Sequence, residues 1–235
     1  MREPTVFIVS APSGSGKSTL VQRLLATVSE LIFSISYTTR RPRGQERNGE
    51  HYFFIGRDQF RRMIQGEELL EWAEVFGQDL YGTARRFYDE ARERGYDLVL
   101  DIDVQGAAQV KQKLPWARSI FILPPSRREL EERLRRRGED AEEVIQRRLQ
   151  RAGREIGGYS QYDYVIINDD VDRAAERLCA IVLAARWEKR HPERSPAGEG
   201  GEVQGWFALA EACRTEAVEP RVAPVLRTFL EARSQ

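Results

Sequence analysis

Val6-Phe7-Ile8-Val9-Ser10-Ala11-Pro12-Ser13-Gly14-Ser15-Gly16-Lys17-Ser18-Thr19-Leu20 is the stretch that decides the fold class. Val6 to Ser10 is a short continuous apolar run of the kind buried on both faces of a parallel sheet. A Gly/Ser turn follows, and then Leu20, Leu24 and Leu25 recur on one helical face. Strand, glycine loop and helix form one unit. Ala11 to Ser18 fits the second half of G-x-x-x-x-G-K-[ST], with alanine where the first glycine would stand. Backbone N–H groups converge on a phosphate only where no Cβ intrudes, hence Gly14 and Gly16, and the new helix N-terminus adds a favourable dipole. Lys17 offers a point charge to the outer phosphates, and the Ser18 hydroxyl suits direct coordination of Mg²⁺. A glycine-rich turn that merely links strand to helix is the plain alternative. The buried strand before the loop and the amphipathic helix after it favour nucleotide binding instead. The expected phosphate-binding set is Ala11, Pro12, Ser13, Gly14, Ser15, Gly16, Lys17, Ser18 and Thr19. Ala11 matters only if its position needs a positive φ.

Outward from this unit the same alternation returns at Leu98 to Asp103, Ser119 to Leu123 and Tyr164 to Asn168, each followed by a helix-like segment. Repeated strand-helix units predict an α/β fold, a parallel phosphate-loop sheet flanked by helices. Asp101 and Asp103 end the second strand pattern. On a strand i and i+2 share a face, so both carboxylates are expected at the cleft, where Asp101 could hold Mg²⁺ through water. A solvated turn is the alternative. Ser34 to Arg85 has another rhythm, with short strand candidates such as His51 to Ile55, and reads as an inserted mixed subdomain. Within it Arg40 and Arg43 flank Pro42, and two guanidinium forks on a stiff turn suit a small anion such as a monophosphate. The Tyr52 and Tyr81 hydroxyls can donate to phosphate oxygens without adding charge. Arg127 to Arg154 is rich in both signs of charge, and its periodicity predicts two helices hinged at Arg137-Gly138. Glu131, Glu132, Glu142 and Glu143 are placed to pair with most of its arginines at helical spacing. Beyond Arg190, prolines and glycines predict a linker with short ordered pieces, in which Trp206, Phe207, Leu209 and Ala210, and then Val225, Leu226, Phe229 and Leu230, could each form an apolar helical face; a packing appendage or partly disordered tail is expected, with partner binding as the alternative.

The whole-chain totals narrow the function classes. The 235 residues carry 37 basic and 37 acidic side chains, and so lack the cationic surplus of a phosphate-neutralising nucleic-acid binder or a polybasic membrane anchor. At 41% hydrophobic the chain can bury a core. No apolar run approaches the roughly 20 residues that span a bilayer, and no signal-peptide pattern opens the sequence, so a cytoplasmic protein is expected. With two cysteines and only His51 and His191, neither a disulfide framework nor a zinc cluster is credible.

The order of phosphate loop, S-x-T-T-R-x-P-R from Ser36, G-x-x-Y-x-F from Gly49, E-W-A at Glu71, Y-G-T at Tyr81, D-I-D-x-Q-G from Asp101, P-P-S and R-R-G resembles the guanylate kinases over about Thr5 to Arg190. That resemblance implies transfer of the ATP γ-phosphoryl group to GMP, with ATP and GMP as partners; the charge balance and apolar run lengths add no nucleic acid and no membrane. Oligomeric state stays open. It implies a core of about 4–33, 86–126 and 156–190, a GMP-binding insert of about 34–85, a lid of about 127–155 and an uncovered extension, 191–235. Arg40, Arg43, Tyr52 and Tyr81 would hold the GMP phosphate. Glu71, Ser36 and Thr83 would read the guanine edge, with Asp103 nearby; a carboxylate suits guanine because it accepts from N1–H and the 2-amino group together. Arg133 and Arg137 match lid arginines on the ATP phosphates, Arg148 an arginine at the transferred group, and Asn168 the segment near adenine. Mg²⁺ is the implied cofactor. Two rivals remain in view. A guanylate-kinase-like binding module would be expected to have a degraded loop, whereas Lys17 and Ser18 are intact. Another small-molecule phosphate-loop kinase would keep Lys17 without the guanine set.

Overall fold

The apolar runs become the strands of an α/β core. In the computed structural model, which describes residues 3–75, 79–136, 138 and 141–230, the order is β1 (Val6–Ser10), α1 (Lys17–Thr27), β2 (Leu31–Ser34), β3 (Tyr37–Thr38), β4 (Phe53–Phe54), α2 (Arg57–Gln65), β5 (Leu69–Val75), β6 (Asp79–Ala84), α3 (Arg86–Arg94), β7 (Asp97–Asp101), α4 (Val104–Lys113), β8 (Arg118–Leu123), α5 (Arg127–Arg136), α6 (Glu142–Ile156), β9 (Tyr164–Ile167), α7 (Val171–Arg190), α8 (Gly201–Glu211) and α9 (Thr215–Leu230). Five strands form a parallel sheet in the order β2-β7-β1-β8-β9. Val6 to Val9, Leu98 to Leu100 and Ile120 to Leu123 are all fully buried. That two-sided burial is why these strands read as unbroken apolar runs rather than alternating ones.

A separate mixed sheet of four strands, β4-β3-β6-β5, comes from the inserted stretch. The strand expected over His51 to Ile55 shrinks to Phe53–Phe54, with Tyr52 in an isolated bridge to Asn48. By internal contacts the chain divides into two compact units: Met1–Ile8 with Glu30–Arg118, and Val9–Ser29 with Ser119–Gln235. The first holds the mixed sheet, β7 and α4. The second holds the phosphate loop, the charged helices α5 and α6, and the C-terminal helices.

Two local expectations are corrected. β7 stops at Asp101, and Asp103 leaves the strand to cap α4, its carboxylate accepting from the Gln105 and Gly106 N–H groups at 3.0 Å each. Asp is among the best N-cap residues, and satisfying two otherwise orphaned donors outweighs one more strand position. The second is the linker expected after Arg190, where the two apolar helical faces instead become α8 and α9 of a packed appendage. Pro220 and Pro224 lie inside α9. Both are exposed, while Val218, Val222, Val225 and Phe229 form the buried face, so the missing proline N–H bonds fall on the side where water satisfies the freed carbonyls. Between α8 and α9 the chain runs antiparallel to β9: Val165 N–H donates to the Cys213 carbonyl at 2.8 Å and Thr215 N–H to the Asp163 carbonyl at 3.3 Å. Arg214 lies 4.4 Å above the Tyr164 ring. The segment therefore covers the exposed edge of the parallel sheet. Among the described residues no helix is long and apolar enough to cross a membrane.

Candidate active site

The phosphate loop belongs to the second unit. Gly14 and Gly16 take φ of +94° and +91°, whereas Ala11 is not among the positive-φ residues, so alanine fits where the motif's first glycine would be. Neither glycine has room for a methyl group. A Cβ on Gly16 would lie 2.4 Å from Asn168 Nδ2, and one on Gly14 would lie 2.9 Å from Leu130 Cδ1. Helix α1 starts at Lys17 immediately after Gly16, so the positive end of its dipole adjoins the loop. Beneath it, Asn168 Nδ2 donates to the Ser15 carbonyl at 2.7 Å, and Asn168 is itself buried. Arg133 reaches the same place from α5: its guanidinium donates to the carbonyls of Ser15 at 3.5 Å and Asn168 at 3.1 Å, and Glu129 accepts from its Nε at 3.0 Å. A cleft of about 360 Å³ opens there, lined by Gly14, Gly16, Thr19, Arg133, Arg136, Asn168 and Val171.

The structure places Arg133 and Asn168 at the loop, where the resemblance assigned Arg133 to the ATP phosphates and Asn168 to the segment near adenine. Arg137 lies outside the described residues. Arg136, which the sequence reading did not single out, lines the cleft three residues after Arg133, and that helical spacing was the available signal. The other arginines of α5 behave as salt-bridged surface: Arg128 with Glu132, and Arg135 with Glu131 and Glu142. Arg148 lies on α6, seven residues into it. Gly138, with φ +66°, stands between the two helices, as the hinge reading expects.

The first unit holds the second constellation. Arg40 is 8% exposed. Its Nε donates to the Tyr81 hydroxyl at 2.9 Å, and its two terminal nitrogens each donate to a Glu46 oxygen at 2.9 Å. The guanidinium also lies 5.4 Å above the Tyr52 ring. Burial alone would lower the Arg40 pKa; the bonds to Glu46 and Tyr81 more than offset it, so the charge is firmly held. Glu46 in turn accepts from the Arg43 N–H at 2.8 Å and titrates below the usual carboxylate range because Arg40 donates to it. Glu46 was not anticipated, because a pair six residues apart depends on how the loop folds. Tyr52 is pushed up to about 12, first by burial and then by the Asp101 charge, so it remains a neutral donor. Arg43 is exposed, and Ser36 is half-buried with its carbonyl accepting from Phe53 N–H at 2.9 Å.

Glu71 is the odd group in this unit, a carboxylate only 4% exposed. It faces Thr83 across the β5–β6 ladder, and the Thr83 hydroxyl donates to its Oε1 at 2.7 Å. Oε2 has the backbone of Gly106 beside it, where a Cβ would approach to 2.6 Å. Burial raises the Glu71 pKa to about 7; the Thr83 bond opposes this, Asp103 adds to it and Lys113 opposes it. A desolvated carboxylate with unused lone pairs awaits donors, and in neutral solution its charge is finely balanced.

The family model for guanylate kinase matches residues 3–185. The chain belongs to the guanylate kinase family. A guanylate kinase of Koribacter versatilis is 53% identical over 231 residues, covering 97% of each chain. One of Escherichia coli is 52% identical over 188 residues, covering 79% of this chain and 90% of its own. The crystal structure of a guanylate kinase from Anaplasma phagocytophilum superposes with a TM-score of 0.64 at 34% identity, covering 79% of this chain and 86% of that one. The C-terminal helices thus fall largely within the alignment to the Koribacter guanylate kinase.

Proposed function

We infer that this protein transfers the γ-phosphoryl group of ATP to GMP, giving ADP and GDP. Membership of the family supports this activity. The observation that supports the choice of acceptor base is Glu71: buried, bonded to Thr83 and left with lone pairs that match the N1–H and 2-amino donors of guanine. Adenine presents a bare N1 acceptor at that place and would be repelled. Ser36 and Asp103 complete the base-reading set, and Arg40, Arg43, Tyr52 and Tyr81 hold the GMP phosphate. The bonds of Arg40 to Tyr81 and Glu46 keep its fork in one orientation before substrate arrives.

On the ATP side, the loop from Ala11 to Thr19 cradles the phosphates through backbone N–H groups, Lys17 neutralises the outer ones, and Asn168 fixes the loop from below. Arg133, Arg137 and Arg148 spread positive charge around the transferred group. The acceptor oxygen is already anionic, so no general base is needed. Rate enhancement comes from alignment and charge stabilisation. The Ser18 hydroxyl is the group that would hold a Mg²⁺ directly, and the Asp101 carboxylate is assigned to hold it through water, with waters and phosphate oxygens completing its shell. When bound with ATP, that ion supplies further charge neutralisation.

A coupled assay of ADP release with GMP, dGMP, AMP, CMP and UMP tests the proposal. Turnover with GMP far above AMP, CMP and UMP is expected. Equal turnover with AMP would remove the assigned role of Glu71, and silence with every acceptor would favour the binding-module reading.

A further inference from the structure

Strand β5 is an edge strand of the four-stranded sheet, so one row of its backbone N–H and C=O groups has no strand beside it. Helix α4 meets that row with side chains. Gln109 Oε1 accepts from the Trp72 N–H at 3.3 Å, and Gln109 Nε2 donates to the Trp72 carbonyl at 2.7 Å. One primary amide thereby makes both bonds that the peptide of a neighbouring strand would make. One turn further on, Lys113 Nζ donates to the Leu70 carbonyl at 2.5 Å. The β5–β6 register shifts between Leu69 and Glu71, which places a bulge at Leu70, and a bulge re-aims the side chain that follows it. Gly106, Gln109 and Lys113 recur at i, i+3 and i+7, so one face of α4 makes room for the Glu71 carboxylate and grips the backbone on either side of it.

We propose that Gln109 and Lys113 are positioning residues for guanine selection, clamping β5 at Trp72 and Leu70 so that the carboxylate of Glu71 between them is held at the base-reading position. The proposal rests on the reading of Glu71 as the guanine acceptor. Neither side chain needs to touch GMP. Without the clamp, the bulged strand has no partner on its outer edge, and a carboxylate displaced by an ångström loses its two-point fit to the base. Lys113 has a second effect. Burial is the main force against ionisation of Glu71, Asp103 at the start of α4 adds to it, and the Lys113 ammonium opposes it. Clamp and charge act together to keep an ionised acceptor in place.

The test uses the full chain, with KM for GMP and ATP measured from pH 5.5 to 9 for wild type, Glu71→Gln, Gln109→Leu, Lys113→Met and Lys113→Gln. Gln109→Leu and Lys113→Met are expected to raise KM for GMP about tenfold, leaving KM for ATP and kcat at saturating GMP within about twofold, as expected when ground-state positioning alone is lost. Lys113→Met should also move the pH midpoint for GMP upward. Lys113→Gln keeps a donor without the charge, so it should show that pH shift with a smaller rise in KM, and it substitutes for the Met variant if that one does not fold. Gln109→Met does the same for Gln109→Leu. A purely structural role would lower melting temperature without altering the GMP midpoint or the ratio of the two KM values. Wild-type KM and midpoint in the clamp variants, beside weakened GMP binding in Glu71→Gln, overturns the proposal alone. Unchanged GMP binding in Glu71→Gln overturns the reading of Glu71 and the proposal with it.

Discussion

Replacing Glu71 with Gln keeps the shape of the side chain and can keep the Thr83 bond through the amide oxygen, but it puts an NH₂ group where a guanine donor must dock. One charge-assisted bond is lost and one buried donor faces another, together costing about 3–4 kcal/mol of GMP binding. That corresponds to about 10²–10³-fold in Kd. Stability should move the other way. A carboxyl whose folded pKa is raised to about 7 contributes stability while neutral. That contribution is complete below its ordinary value and is lost as the pH climbs through about 7, to the extent of about 3 kcal/mol. Gln does not titrate, so above pH 7 the ligand-free variant should melt higher than wild type. Calorimetric titration with GMP and with ATP, plus thermal melts at pH 6 and 8, separates the effects. GMP binding within about twofold of wild type, or an equal loss for ATP, would refute the assignment, since losing one charge-assisted bond and setting a buried donor against another cannot cost so little.

Wild-type affinity for GMP should itself rise with pH through about 7, because the ionised carboxylate is the acceptor; the phosphate of GMP also titrates nearby, and the Glu71→Gln background isolates its share by titration across pH 5.5 to 9. Gly16→Ala puts a methyl 2.4 Å from Asn168 Nδ2 at a φ of +91°, so ATP binding should fall sharply in a nucleotide-binding assay while GMP binding persists. Arg133→Ala should lower kcat by on the order of 10³ and also loosen the loop through the lost bonds to Ser15 and Asn168, visible as faster amide exchange there. Truncation after Arg190 uncovers the β9 edge and removes the buried Val222, Val225 and Phe229, so scanning calorimetry should show Tm lower by on the order of 10 °C together with aggregation.

Four of the five parallel strands and the loop were legible because each signal is local: two-sided burial leaves apolar runs, and phosphate binding forces glycine and lysine into adjacent positions, whereas β2 buries only alternate residues and leaves no such run. The paired helices of the charged stretch were legible through their period and Gly138. What was hidden depends on non-local geometry. Asp103 reads as the end of a strand until the following helix claims it as a cap. Pro220 and Pro224 look like helix breakers until the register turns both toward water. Glu46 and Gln109 carry no motif, since each earns its place through a loop or a strand edge that only the folded chain brings near. The candidate base-reading residues were named by family order, while the physical reason for their fit, a buried carboxylate poised near neutrality, came from packing.

The destination of the phosphoryl group separates a GMP kinase from an ATPase or a kinase of another nucleotide. With ATP labelled at its γ-phosphate, GMP and Mg²⁺, a single turnover should carry the label into the β-phosphate of GDP. Label released as inorganic phosphate, or recovered in a product that forms equally well with AMP as acceptor, would contradict it.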